Sequence, residues 1–255
     1  MHVRVRLFAI QRQMAGAREV PLELADGATV EDAWTAIVGR FPVLAPGRTS
    51  LRFARNGDYA EPATRLADGD EVAFIPPVSG GAGAAAADGP EPRRILELRD
   101  DPFPASIVAD LEARLATDED GAVVAFVGRT RVSPGTPAPG QEAEAARHAG
   151  RAVEALEYEA HDSMAIKVLA TIAGEIAERF GVERLAIVHR TGAVPLGEAS
   201  IVVVAVAAHR DAAFRAARYA IDETKARAPI WKAEQFSDGQ VWIGAPARSG
   251  PETGS

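Results

Sequence analysis

Residues 1–81 alternate apolar and polar side chains in short runs, the period-two signature of half-buried strands. "VRVRLFA" sets Val3, Val5 and Leu7 on one face, and "VPLEL" does the same with Val20, Leu22 and Leu24. The period lengthens in "TVEDAWTAIVGRF", where Trp34, Ile37, Val38 and Phe41 fall at helical spacing. Thr29 stands where an N-cap belongs, with Asp32 three residues on in the manner of a capping box. Asn56-Gly57 predicts a tight turn inside "LRFARNGDYA", and "EVAFI" follows with Val72 and Phe74 pointing inward. This ββαβ…β order predicts one helix lying across a mixed sheet.

The pattern breaks at residues 82–92, which hold no apolar side chain larger than alanine. Such a segment buries too little surface to offset its ordering entropy, so it reads as a linker. A second α/β domain is expected over residues 93–245. "GAVVAFVGRTR" is an apolar strand ending in a basic cluster, and "ALEYEA" sets Leu156 and Tyr158 opposite Glu157 and Glu159. "DSMAIKVLATIAGEIAERFG" is an amphipathic helix with Leu169, Ile172, Ile176 and Phe180 in one stripe and Gly181 as its stop. Strands are expected at 184–190 and 200–208, then a helix at about 211–227 closed by Pro229. Short strands follow in "IWKAEQF" and "VWIG". Residues 132–152 read as a long mobile loop beside the first basic cluster, and 246–255 as a disordered tail.

Composition narrows the chemistry. The chain is 47% hydrophobic, enough for a proper core. Its apolar run "IVVVAVAA" is too short to cross a bilayer. The strand-like start is unlike a signal peptide, so a cytoplasmic protein without a membrane partner is expected. A net charge of −8 gives no overall attraction to nucleic acid. Cysteine is absent, which excludes disulfides, thiolate metal sites and thiol nucleophiles. The five histidines, His2, His148, His161, His189 and His209, show no metal-ligand spacing, so no metal is expected. Catalysis would fall to lysine, arginine, a carboxylate or a chain terminus.

"GAGAAA" at 81–86 nearly spells a dinucleotide fingerprint, but Pro76 and Pro77 interrupt the preceding strand and "ADGPEP" cannot form the helix that would hold a pyrophosphate. The basic residues of the second domain carry more. Arg129 and Arg131 close one apolar strand, while His209 and Arg210 close another. Lys225 lies near the end of a helix, and Lys232 just past Pro229, with Glu234 two residues on. Taken singly, each is an ordinary solvated charge. Taken together, two strands ending in cations predict one shared rim suited to a small anion such as a phosphate ester. His161 and His189 read as residues without a functional partner, and Trp231 and Trp242 as core or interface.

"LADGDEVAFIPPVSGG" resembles the C-terminus of the small, ubiquitin-like subunit of the molybdopterin synthase family. "FVGRTR", "ALEYEAHDSMA", "IVHRTGAVPLGEASIVVVAVAAHRDAAF" and "DETKARAPIWKAE" resemble the large, catalytic subunit of the same family. The resemblance implies an α+β fold: a β-grasp domain at 1–81, a linker at 82–92, and a C-terminal α/β hammerhead-type domain at 93–245. It implies that sulfur travels as a thiocarboxylate on Gly81, behind Gly80, after adenylation by a separate activating enzyme. The acceptor would be cyclic pyranopterin monophosphate, converted to the dithiolene of molybdopterin with no resident cofactor and no metal. Substrate-binding positions would be Arg129, Thr130, Arg131, His209, Arg210, Lys225, Lys232, Ala233 and Glu234. Lys225 would carry the acid–base or covalent role, and Lys232 would hold the thiocarboxylate or its oxyanion. A homodimer through the C-terminal domain is also implied.

Two features depart from the family pattern. Gly81 is followed by Ala82, and a carbonyl inside a peptide bond offers no carboxylate to adenylate. Either a protease cuts after Gly81, or a separate small subunit brings the sulfur. The 132–152 loop is also enlarged. Rival readings are a non-catalytic ubiquitin-like tag on an anion-binding scaffold, and a phosphate-ester transferase unrelated to sulfur.

Overall fold

The structure is a computed structural model describing residues 1–76, 93–137 and 140–243. The Gly80-Gly81 pair, the expected linker and the expected tail at 246–255 lie outside the described residues. The chain divides into two compact units, Met1–Pro77 and Val78–Ser255.

In the first unit, β1 (His2–Leu7), α1 (Ala9–Ala15), β2 (Glu19–Glu23) and α2 (Val30–Arg40) are followed by a 3₁₀ segment (Pro42–Ser50). Then come β3 (Arg52–Arg55), β4 (Asp58–Ala60) and β5 (Glu71–Ile75). The sheet order is β2-β1-β5-β3-β4, with β1 and β5 parallel and the other pairs antiparallel. This is a β-grasp, with α2 laid across the sheet. Trp34 and Ile37 pack on Val3, Val5, Phe53, Val72 and Phe74, and the Trp34 and Phe74 rings meet edge to face at 5.1 Å. The capping box forms: Asp32 N–H donates to Thr29 Oγ1 at 3.3 Å, and Thr29 N–H to Asp32 Oδ2 at 2.7 Å. Asn56 and Gly57 take φ of 52° and 79°. Two successive left-handed residues match the twist of the β3–β4 hairpin they join. The sequence pattern misses α1, whose seven residues are too few to display a period.

The second unit runs β6 (Arg94–Arg99), α3 (Ile107–Leu115), β7 (Ala122–Arg129), α4 (Glu142–Arg147), β8 (Ala155–Ala160) and α5 (Asp162–Phe180). It continues with β9 (Arg184–Arg190), β10 (Gly192–Pro195), β11 (Ala199–Ala207), α6 (Arg210–Arg227), β12 (Ile230–Phe236) and β13 (Gly239–Ile243). One sheet has the order β6-β9-β11-β7 and the other β10-β8-β12-β13. Helices α5 and α6 cover one face of the first sheet, burying Leu185, Ile187, Ile201 and Val203. Helix α3 covers the other face through Leu111, against Val188, Val202 and Val204. Period two continues along β9, so His189 falls on the α5–α6 face after Leu185 and Ile187. On edge strand β7, Val123 and Val127 stay more than a third exposed.

One expectation needs correction. The 132–152 segment is not all loop: "EAEAAR" forms α4, too short for its glutamates and alanines to show a period. Strand β6, helix α3 and strand β10 are additional. On β8, Glu159 is only 6% exposed. Among the described residues, no helix is long and apolar enough to cross a membrane.

Two stability predictions follow from these contacts. Thr29→Ala should cost about 1 kcal/mol, read as faster amide exchange in α2. Burial, aided by the Lys225 charge and only partly offset by a bond to the Arg190 carbonyl, lowers the His189 pKa to about 4 from 6.5. The unfolded chain then takes up a proton near pH 6.5 that the folded chain refuses until about 4. Stability should fall as pH drops through that window, by about 3 kcal/mol from this group. Urea midpoints at pH 7.5 and 4.5 should show a steeper loss for the parent chain than for His189→Asn, and equal losses would refute it.

Candidate functional site

Strands β8 and β12 pair antiparallel with Lys232 directly opposite Tyr158, so both side chains leave the same face. The Tyr158 ring meets His189 of the other sheet edge to face at 4.9 Å. Its hydroxyl donates to Ser200 Oγ at 3.2 Å, and Ser200 donates on to the Gly128 carbonyl at 3.4 Å. The site forms where these two sheets meet. Helix α6 returns along β7 and β11, bringing Lys225 into its last turn, with its Nζ 5.9 Å from the Phe126 ring centroid.

Electrostatics tie the cluster together. Burial depresses the Lys232 pKa, and Lys225 and Arg131 push it further down, while Glu234 opposes them. Burial raises the Tyr158 pKa against the Ser200 bond, and the Glu234 charge adds to the rise. Glu234 is 3% exposed and receives the Gly135 N–H on Oε1 at 2.8 Å. Room beside that contact is tight. A Cβ at 135 would lie 3.1 Å from Ile243 Cγ2, 3.2 Å from Glu234 Oε1 and 3.6 Å from Lys232 Nζ. Thr130 is buried, and its backbone N–H is held by the Glu198 carbonyl. Ala233 is fully buried beside Trp242 in the β12–β13 pairing.

The expectation of a single shared rim is corrected here. Strands β7 and β11 are antiparallel, with Arg129 opposite Ala199 and Ala122 opposite Ala207. The C-terminal ends of the two strands therefore lie at opposite ends of the sheet. A Cβ on Gly121 would sit 2.6 Å from the Ala208 carbonyl oxygen, which places His209 beside the start of β7. Seven residue steps along β7 separate the two groups by roughly 20–25 Å. Arg131, Lys225, Lys232 and Glu234 gather at one end, on the side of Arg129 and Thr130. His209, the N-cap of α6, and Arg210 stand at the other.

Sequence reasoning missed Tyr158, Ser200 and Gly135 as parts of the site, and set His189 aside. One signal was available. Among 28 basic residues only three are lysines, Lys167, Lys225 and Lys232, and two of those meet here. Trp231 and Trp242, read as core or interface, are buried.

Known proteins match each part of the chain separately. Residues 99–227 match the MoaE protein family, and residues 5–81 match the ThiS family. A molybdopterin synthase catalytic subunit from Oryza sativa subsp. indica is 45% identical over 122 residues, 48% of this chain and 56% of that protein. The chain thus spans little more than half the length of that relative. One of the same name from Bacillus subtilis is 37% identical over 139 residues, 54% of this chain and 77% of the relative. The crystal structure of molybdopterin synthase from Staphylococcus aureus matches with a TM-score of 0.50 and 33% identity, covering 58% of this chain and 96% of that one. The chain belongs to the MoaE protein family, and carries a ThiS-family β-grasp domain ahead of the MoaE domain.

Proposed function

We propose that this chain is a molybdopterin synthase, a sulfurtransferase of molybdenum cofactor biosynthesis. The observation that carries the reading is the meeting of Lys225, Lys232, Arg131 and Glu234 at one end of the MoaE-family domain, with the Lys232 pKa depressed. The donor is a thiocarboxylate on Gly81, made by an adenylating and sulfurating enzyme, and the acceptor is cyclic pyranopterin monophosphate. The thiocarboxylate sulfur forms a bond to a substrate carbon as a carbon–oxygen bond at that carbon breaks. The oxygen leaves as a phosphate oxygen or, once protonated, as water, and the sulfur keeps its acyl group. Water then adds to the acyl carbonyl, the carboxylate leaves, and the sulfur stays on the substrate as a thiolate. Two rounds supply both sulfurs of the dithiolene. Lys232 as an ammonium stabilises the oxyanion of each hydrolysis, and Glu234 sustains that charge. Lys225 handles the proton or the covalent attachment, and Arg129, Thr130 and Arg131 hold the cyclic phosphate and the pterin. The reading needs no resident cofactor and no metal.

His209 and Arg210 join such a site when a second copy of the chain presents them. The open apolar face of β7, with Val123 and Val127 exposed, supports a homodimer of the second unit. Their separation from Lys225 within one chain supports the same reading. A second reading of the sulfur source rests on the peptide bond between Gly81 and Ala82. Uncut, that bond leaves no carboxylate, and a free-standing small subunit would serve the pocket instead.

Lys225→Ala should lower turnover at least about 100-fold with the thermal transition unchanged. Near-normal product formation would refute its role. The intact mass of the chain from its native host reads the sulfur source. Fragments split between Gly81 and Ala82, the lighter partly carrying sulfur in place of oxygen, are expected. A single uncut chain would assign the sulfur to a separate carrier.

A further inference from the structure

Between β9 and β11 the chain makes a detour through the other sheet. It leaves β9 at Arg190, forms β10 beside β8, and turns back over Pro195–Glu198 into β11. The turn closes with the Glu198 N–H on the Pro195 carbonyl at 3.2 Å, and Gly197 takes a φ of 78° that favours glycine. This turn grips the chain just past β7. Thr130 N–H donates to the Glu198 carbonyl and Gly197 N–H to the Thr130 carbonyl, each at 2.9 Å. Both main-chain groups of Thr130 are thus held by one turn. A Cβ on Gly197 would lie 4.0 Å from Arg129 Nη2, so that guanidinium lies alongside it. Thr130 is buried, whereas Arg129 and Arg131 on either side are exposed. Alternation about a buried residue sends both neighbours outward together.

Arg190, the last residue of β9, holds the turn in place. Its side chain is 3% exposed, and its two terminal nitrogens have separate tasks. Nη1 donates to Glu198 Oε2 at 2.5 Å, and Nη2 donates to the Ala193 carbonyl at 3.0 Å. One guanidinium therefore ties β10 to the far end of the turn that follows it. Its own main chain is fixed as well, because His189 Nδ1 donates to the Arg190 carbonyl at 2.7 Å. We propose that Arg190 is a positioning residue for the substrate-holding segment Arg129, Thr130 and Arg131, acting through Glu198. The path is short: guanidinium to Glu198 carboxylate, then Glu198 carbonyl to Thr130 N–H. Arginine suits it because a planar fork serves two acceptors at once, which a lysine ammonium on a flexible stem does less well. The substrate part of this role rests on the synthase reading, and the structural part is tested without substrate.

Amide hydrogen exchange of the full chain, followed residue by residue by NMR, reads the grip directly. Arg190→Met leaves Glu198, 41% exposed, hydrated, and puts an apolar side chain of similar length in the buried space. Exchange at Thr130 and Gly197 should speed up about tenfold or more, the loss expected for a charged hydrogen bond. Val203 and Ala205 inside β11 should keep the parent rate. Glu198→Gln changes only the surface partner and keeps an acceptor, so it should accelerate the same two amides to a smaller degree. Arg190→Lys serves one acceptor at a time and should fall between the parent and Arg190→Met. Unchanged exchange at Thr130 and Gly197 overturns the role, as does acceleration shared equally by Val203 and Ala205. Turnover then reads the substrate link. In Arg190→Met, KM for cyclic pyranopterin monophosphate should rise about tenfold with kcat within about threefold, since α6 and β12 carry Lys225 and Lys232. Selective opening with KM unmoved overturns the assignment to substrate holding. A parent chain that forms no molybdopterin would remove the synthase reading, and the exchange result would still decide whether Arg190 holds Thr130.

Discussion

The antiparallel pairing of β7 with β11 decides where every charged group of the second unit can act. Parallel strands would have delivered Arg129, Arg131, His209 and Arg210 to a common edge, the arrangement that makes a ligand site in open α/β sheets. Antiparallel strands send the two groups to opposite ends. Helix α6 then spans the sheet between them. It starts at His209 on one end and delivers Lys225 to the other, so one element carries cations to both places.

At the Lys225 end, the chemistry depends on a joint between two sheets. Tyr158 is paired with Lys232 in one sheet and packed against His189 of the other, so a single aromatic ring joins the two sheets beside Lys232. A phenol anchored through its hydroxyl to Ser200 cannot swing. Around it the protein places three cations, one buried carboxylate and one neutral imidazole. For Lys232, loss of hydration and repulsion from the other cations favour releasing a proton, and the carboxylate limits how far that goes.

Much of this was readable in the residues. The stripe Leu169, Ile172 and Ile176 marked α5, Thr29 and Asp32 marked the start of α2, and Asn56-Gly57 marked a hairpin, each because local chemistry suffices to specify it. Short elements such as α1, α4 and β10 were silent, having too few residues to show a period. The residues of the site were visible as types: lysine, arginine, glutamate near strand ends. Their grouping was not, because strand direction is set by non-local pairing that no single run of sequence encodes. His189 was passed over for a related reason. Its partners are the Arg190 carbonyl and the Tyr158 ring, which alternation along β9 cannot disclose.

The close approach of Gly135 to Lys232 and Glu234 has an evolutionary consequence. The donor that the loop gives to Glu234 is a main-chain N–H, which every residue except proline possesses. Side chains on either side can vary without that contact being lost. At the site of closest approach, a single added carbon would make Ile243 and Glu234 give by a few tenths of an ångström. What this contact constrains is room at one backbone position, not the chemistry of a side chain.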